Sequence, residues 1–145
     1  MVDCYADADF AGLWGHEDPQ DPICARSRNG FVVTFSKCPL LWLSKLKTEI
    51  ALSTLHSEYV TFSHSVIEVL PLKSLIKEVI DNLGIDSENL KFVSNSTLYE
   101  DNNGAIVVTK ISRMNPISKH IAVKYHWFSQ NVGKGFVIWE IKSEK

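Results

Sequence analysis

The chain has 145 residues, 45% of them hydrophobic and 10% aromatic, which predicts one globular domain with its own core and argues against a disordered segment. The net charge of −2 argues against nucleic-acid binding through bulk positive charge, and the three cysteines match neither a disulfide framework nor a zinc site. The sequence has no apolar run long enough to span a membrane and no signal-peptide pattern, so we expect an intracellular protein without a membrane partner.

The first part of the chain is predicted to be an antiparallel meander. Residues 2–7 have the composition of a strand, and GFVVTFS and LLWLSK follow as two further strands after an acidic loop that contains proline. Cys38 and Pro39 separate these two runs, so we expect the turn between the strands there.

Helical spacing begins after Thr48. Apolar residues then recur at intervals of four, three and four, at Leu55, Tyr59, Phe62 and Val66. This spacing is typical of one face of a helix. Pro71 suits the first turn of a helix, so we expect a break there and a second helix that stops at Gly84.

The remaining segments alternate between strands and helices. STLYED is predicted to be a short strand, NNGAIVVTK the start of a helix, 118–132 a further helix, and FVIWEI the last strand. The fold class is therefore α/β, with an antiparallel half and a parallel half in one mixed sheet flanked by helices.

Three acids lie at positions of this predicted fold from which they could meet. Asp7 closes the first strand, Asp101 closes the fourth, and Glu58 lies on the flank of the first helix. If the first and fourth strands are neighbours, the three carboxylates converge at the carboxyl ends of parallel strands. The three carboxylates repel one another unless a divalent cation is bound, and oxygen ligands favour Mg²⁺ or Mn²⁺. This arrangement predicts metal-assisted phosphodiester chemistry.

A calcium loop is the local alternative for the first of these acids. Asp7, Asp9, Gly12 and Asp18 partly fit the loop pattern. However, Ala11 occupies a ligand position and no helix precedes the run, so we disfavour this interpretation.

Four blocks of the sequence resemble one protein family. YADADFAG resembles the Y-S-D-A-D-W-A-G block of the ribonuclease H domain of copia-type retrotransposon polyproteins. In the same order, the segment from ARSRNGF to LHSEY resembles R-R-S-T-S-G-Y, W-x-S-K-x-Q and A-L-S-S-T-E-A-E-Y; YEDNNGAI resembles Y-C-D-N-x-x-A-I; and SKHIAVKYHWF resembles T-K-H-I-D-I-R-Y-H-F. Together the blocks span nearly the whole chain.

The resemblance implies a fold, an activity and a site. The implied fold is ribonuclease H-like, with a mixed five-stranded sheet. The implied activity is hydrolysis of the RNA strand of RNA/DNA hybrids during reverse transcription, with a reverse transcriptase domain of the same polyprotein as partner. The catalytic and metal-binding carboxylates of the family fall on Asp7, Glu58 and Asp101.

Basic residues are the predicted contacts to the substrate. The stretch 22–48 contains basic residues but no acid, and a second such stretch covers 105–135. Acid-free stretches of this kind suit a phosphate backbone. The predicted nucleic-acid-binding residues are Arg26, Arg28, Lys45, Lys47 and Asn102.

The end of the chain departs from the family. The family continues into an A-D-x-F-T-K segment whose aspartate completes a four-acid site, whereas this sequence ends in IWEIKSEK. We therefore expect a single domain over 1–145, truncated before that segment and weakened in activity. A catalytically inactive remnant or nucleic-acid-binding module is the alternative. A strand-transfer domain of the related integrase fold is disfavoured, because its acids follow the order Asp, Asp, Glu.

Overall fold

The computed structural model describes residues 2–15, 20–85, 95–110 and 138–142. Within them the chain forms five strands, two α-helices and one short 3-10 helix. The predicted helix over 118–132 lies outside the described residues, as does most of the second basic stretch.

One mixed sheet contains all five strands. The strands are β1 (Val2–Asp9), β2 (Arg28–Phe35), β3 (Cys38–Leu46), β4 (Asn95–Tyr99) and β5 (Ile138–Lys142). Their order across the sheet is β3-β2-β1-β4-β5. The pairs β1–β2 and β2–β3 are antiparallel, and β1–β4 and β4–β5 are parallel. The predicted mixed sheet, with three antiparallel strands followed by parallel strands, is confirmed.

The turn between β2 and β3 lies two residues before the predicted one. Ser36 and Lys37 form it, with φ angles of 50° and 67°. Positive φ angles at both central residues are typical of the two-residue hairpin turns whose twist matches that of the strands. Cys38 and Pro39 belong to β3 itself, so the predicted turn at these residues is wrong. Pro39 is tolerated because β3 is the edge strand of the sheet and the pairing shifts register beside it.

A single long helix packs against the sheet. Helix α1 (Thr54–Asn82) begins after Ser53, whose hydroxyl accepts the backbone N–H of His56 at 3.1 Å. It ends just before Gly84, which has a φ of 65° and confirms the predicted stop. Helix α2 (Asn103–Lys110) follows β4, and a 3-10 turn (Pro22–Ala25) precedes β2.

The predicted helix break at Pro71 is wrong, because α1 continues through that residue. Proline removes one backbone N–H, so the carbonyl of Ile67 loses its usual partner. The Pro71 ring is exposed, whereas neighbouring apolar residues of the helix, such as Val66 and Val69, are fully buried. Packing of the buried face therefore outweighs the local preference of proline to start or end a helix.

The hydrophobic core lies between α1 and one face of the sheet. Alternate residues of β1, including Cys4 and Ala6, are buried against it, and Tyr59 and Phe62 of α1 pack from the other side. A polar contact joins the same layers: Asn29 of β2 accepts the Thr61 hydroxyl at 2.8 Å. These contacts fix the position of α1 relative to β1 and the side of the helix that faces the sheet. No helix in the described part of the chain is both long and apolar enough to cross a membrane.

Pro71→Ala should stabilise the protein by about 1–3 kcal/mol, because alanine restores an N–H to the helix without removing a buried side chain. Urea denaturation monitored by circular dichroism measures the change. Lys77→Ala, at another exposed position of α1, is the control and should change the free energy of unfolding by less than about 0.5 kcal/mol. A destabilised Pro71→Ala variant would contradict a continuous helix.

Candidate metal centre

Three carboxylates meet at one end of the sheet. Asp7, Glu58 and Asp101 each offer an oxygen atom, and these oxygens lie within 4.8 Å of one another. We call these three residues the acid trio. They are the three residues that the sequence predicts for the metal site, and the structure brings them together. Their catalytic role stays a prediction.

The pairing of two parallel strands positions the two aspartates. The last aligned pair of β1 and β4 is Tyr5 with Tyr99, and Asp7 and Asp101 each lie two residues further along. Because side chains alternate along a strand, Asp7 lies on the same face of β1 as Tyr5, and Asp101 lies in the loop just after β4. The tyrosine rings stack with centroids 4.4 Å apart and planes 5° apart, which holds the two strands in this register.

Glu58 reaches the trio from α1. It is only 5% exposed, whereas Asp7 and Asp101 are exposed. Its carboxylate accepts a hydrogen bond from the Ala8 backbone, and its Oε2 atom has no hydrogen-bond partner among the described residues. Burial, followed by the negative charges of nearby acids, raises the pKa of Glu58 to about 8.

Glu100 is a fourth acid at this place, and it is absent from the residues that the sequence predicts for the site. It is 2% exposed, and its Oε1 atom accepts the backbone N–H of Asn102 at 3.1 Å. Burial, together with the charges of Asp101 and Asp7, raises the pKa of Glu100 to about 7, although the bond from Asn102 acts in the opposite direction. The one signal in the sequence is that the family block Y-C-D-N has cysteine where this chain has glutamate.

The acid trio fits a divalent cation. Three carboxylate oxygens within one small space are the hard, anionic donors that Mg²⁺ and Mn²⁺ prefer. The unpartnered Oε2 of Glu58 is a further indication, since a buried carboxylate oxygen without a hydrogen bond is unfavourable unless a proton or a cation compensates it.

Lys47 lies next to the site rather than on the open surface. Its Nζ atom donates to the backbone oxygen of Ser57 at 2.7 Å and to the Ser57 hydroxyl at 2.9 Å. Burial lowers the pKa of the Lys47 ammonium to about 8, while the charge of Glu58 acts in the opposite direction. Lys47 therefore holds the β3–α1 connection onto the first turns of α1. Its predicted contact with nucleic acid stays a prediction.

The other predicted nucleic-acid-binding residues do not form one basic face. Arg28 is aligned with Leu46 and Asn29 with Lys45 in the β2–β3 pair. Aligned residues share a face and successive residues alternate, so Arg28 and Lys45 project to opposite sides of the sheet. Both are exposed, whereas Arg26 is partly buried.

Asn102 has a structural role at the start of α2. Its Oδ1 atom accepts the backbone N–H of Ala105 at 3.0 Å, and its backbone oxygen accepts the N–H of Ile106 at 3.1 Å. These two bonds are typical of an N-cap residue. A contact between Asn102 and substrate stays a prediction.

The remaining acids of the first strand are separate from the trio. Asp9 is exposed, and its carboxylate occupies the space that a side chain at position 12 would need, so it requires glycine in the loop after β1. Asp3 is buried further back on β1. In the part of the chain that the structure describes, neither joins Asp7 in a group of ligand atoms. Asp18, the last position of the calcium-loop alternative, lies outside the described residues.

Comparison with known proteins finds relatives among transposon proteins. The chain is 33% identical over 128 residues to a retrovirus-related Pol polyprotein from transposon TNT 1-94 of Nicotiana tabacum, a match that covers 88% of this chain. It is 30% identical over 131 residues to the corresponding polyprotein from transposon RE1 of Arabidopsis thaliana, with 90% of this chain covered. The chain spans 8% of the length of each of these relatives. No protein-family model matches it.

Solved structures with the same fold are ribonuclease H domains. The N-terminal RNase H domain of rv2228c from Mycobacterium tuberculosis, solved as a fusion with maltose-binding protein, superposes with a TM-score of 0.53 at 14% identity. That match covers 97% of this chain and 81% of the other. RNase H1 of Halobacterium salinarum gives a TM-score of 0.50 at 13% identity over 97% of this chain and 83% of the other. At such identities the likeness concerns the fold alone.

The metal-free protein should lose stability as the pH rises. The pKa of Glu58 is about 8 in the folded protein against an ordinary value of 4.5, so the folded state favours the protonated acid. This contribution is fully present below the unfolded pKa and is lost as the pH rises through the folded pKa, that is, between about pH 4.5 and about pH 8. Glu58→Gln should flatten this decline because it removes the titrating group.

Urea denaturation in EDTA at about pH 5, 7 and 9 measures the effect. Glu68→Gln is the matched control, because it changes the same functional group at an exposed position of the same helix. The control should retain the wild-type pH dependence. The same pH dependence in Glu58→Gln and wild type would contradict the assignment.

Proposed function

We propose that this chain, which belongs to the ribonuclease H-like domains of copia-type retrotransposon Pol polyproteins, hydrolyses the RNA strand of RNA/DNA hybrids. The observation that carries this proposal is the acid trio, whose three carboxylate oxygens lie within 4.8 Å at the end of two parallel strands. A compact group of carboxylates at this place suits metal-assisted phosphodiester cleavage.

Asp7, Glu58 and Asp101 would hold the cofactor, Mg²⁺ or Mn²⁺. A bound divalent cation supplies an activated water and stabilises negative charge on the leaving oxygen. The two aspartates are exposed, so their oxygens are open to a phosphate that approaches from solvent. Glu58 is buried and held by the Ala8 backbone, so it forms the fixed inner side of the site.

The positively charged side chains beside the site would orient the substrate backbone. Arg28, at the start of β2, and Lys45, near the end of β3, are exposed on opposite sides of the sheet, and Lys47 lies close to Glu58. We assign Arg26 and Asn102 to the same contacts, Asn102 in addition to its role as a helix cap. Contacts to phosphate and sugar distinguish RNA from DNA through the 2′-hydroxyl but carry no base sequence, so we expect no sequence preference.

We extend the proposal to the wider context, with the relatives as support. Their Pol polyproteins suggest that the chain acts in reverse transcription, inside the cell, beside a reverse transcriptase domain. We further propose that residues 1–145 form one domain. A reverse transcriptase partner would supply further substrate contacts, which suits the modest basic surface that the described residues show.

Cleavage of a labelled RNA/DNA hybrid tests the activity. Wild-type protein should cut the RNA strand in Mg²⁺ and lose activity in EDTA. Asp7→Asn should lower the rate by about a hundredfold or more, because it removes one anionic member of the trio. Asp9→Asn is the matched control, since it makes the same change two residues away, outside the trio, and should retain wild-type activity.

Equal rates for Asp7→Asn and wild type would contradict the proposed site. A wild-type protein that binds the hybrid but does not cut it in Mg²⁺ or Mn²⁺ would instead identify a nucleic-acid-binding module.

A further inference from the structure

Two buried carboxylates, Glu58 and Glu100, belong to the region of the metal centre: Glu58 is a member of the acid trio, and Glu100 lines a pocket with Asp7 and Asp101. Glu58 and Glu100 are 5% and 2% exposed, and each has one oxygen, Oε2, without a hydrogen-bond partner among the described residues. Glutamate is seldom buried to this extent unless it is paired. Glu100 is not one of the three carboxylates whose oxygens meet in the acid trio, so the burial of its charge needs a separate explanation.

The backbone around Asp101 holds Glu100 in place. Its Oε1 atom accepts the N–H of Asn102, and Asn102 in turn caps α2 through the N–H of Ala105. One carboxylate oxygen thus fastens the turn that carries Asp101. The other oxygen, Oε2, keeps its lone pairs available within the buried interior.

The charge of Glu100 acts directly on the site. Glu100 lines the same pocket as Asp7 and Asp101, and its charge repels the carboxylate of Glu58. Repulsion between these carboxylates lowers the stability of the fold without a cation. A divalent cation bound between the acids attracts each of them and so offsets the repulsion. Glu100 thus adds negative charge at the place where a cation would be held.

We propose that Glu100 is a fourth carboxylate of the metal centre, a positioning residue that acts through Glu58 and Asp101 to tighten the binding of a divalent cation. The proposal rests on the metal site of the proposed function. Residues that do not bind the metal but support its ligands commonly contribute about ten- to hundredfold to metal affinity. We expect an effect of this size for Glu100.

Calorimetric titration of Mg²⁺ into the 145-residue chain tests the proposal. Glu100→Gln keeps the size of the side chain and an oxygen for the Asn102 N–H but removes the charge. It should weaken Mg²⁺ binding by about ten- to hundredfold. Glu68→Gln removes the same charge from an exposed position on α1 and should bind Mg²⁺ like wild type. Asp7→Asn is the reference for loss of a trio member.

A second readout separates this role from a purely structural one. Without metal, Glu100→Gln should be at least as stable as wild type at about pH 8, because it relieves repulsion. A structural role predicts a loss of stability instead. Should Glu100→Gln fail to fold, the pair Glu100→Asp and Glu100→Asn isolates the charge, and the aspartate variant should bind Mg²⁺ more tightly.

The outcomes distinguish the two proposals. If Asp7→Asn weakens Mg²⁺ binding but Glu100→Gln binds like wild type, the role of Glu100 is overturned and the metal site stands. If wild type does not bind Mg²⁺, the metal site itself is overturned, and the role of Glu100 with it. Weaker binding by Glu100→Gln, with an unchanged Glu68→Gln control, supports the proposal.

Discussion

The parallel pairing of β1 with β4 is the constraint on which the site depends. It aligns Tyr5 with Tyr99, whose stacked rings hold the register, and it places Asp7 and Asp101 at equivalent positions two residues beyond. A slip of one residue would turn one aspartate to the opposite face of the sheet. The core contacts of α1 then set where Glu58 meets the aspartates.

The site carries an electrostatic cost within the fold. Glu58 and Glu100 are buried beside two further acids, and burial together with mutual repulsion raises the pKa of both. Lys47 lies close to Glu58 but is itself partly desolvated, so it offsets only part of the cost. Functional sites often retain unfavourable groups of this kind because ligand binding compensates them. The rest of the core, which is apolar and well buried, supplies the stability that the acids remove.

Local sequence signals failed where packing between distant elements decided the structure. Pro71 suits a helix start, yet α1 passes through it because the buried face of the helix is held by the sheet. Cys38-Pro39 suits a turn, yet the hairpin turns at Ser36 and Lys37, and Pro39 is accommodated at the sheet edge. In both places the statistical preference of proline is weaker than the contacts of the element around it.

The sequence by itself determined the succession of the five strands, their mixed sheet and the three acids of the trio, because periodicity and motif spacing are properties of the chain. Only the tertiary structure decided that Glu58 and Glu100 are buried and that Lys47 is bonded to Ser57. The physical reason is that burial and charge coupling depend on which distant segments pack together. An acid at the end of a strand is exposed or buried according to its neighbours across the sheet, as Asp101 and Glu100 show.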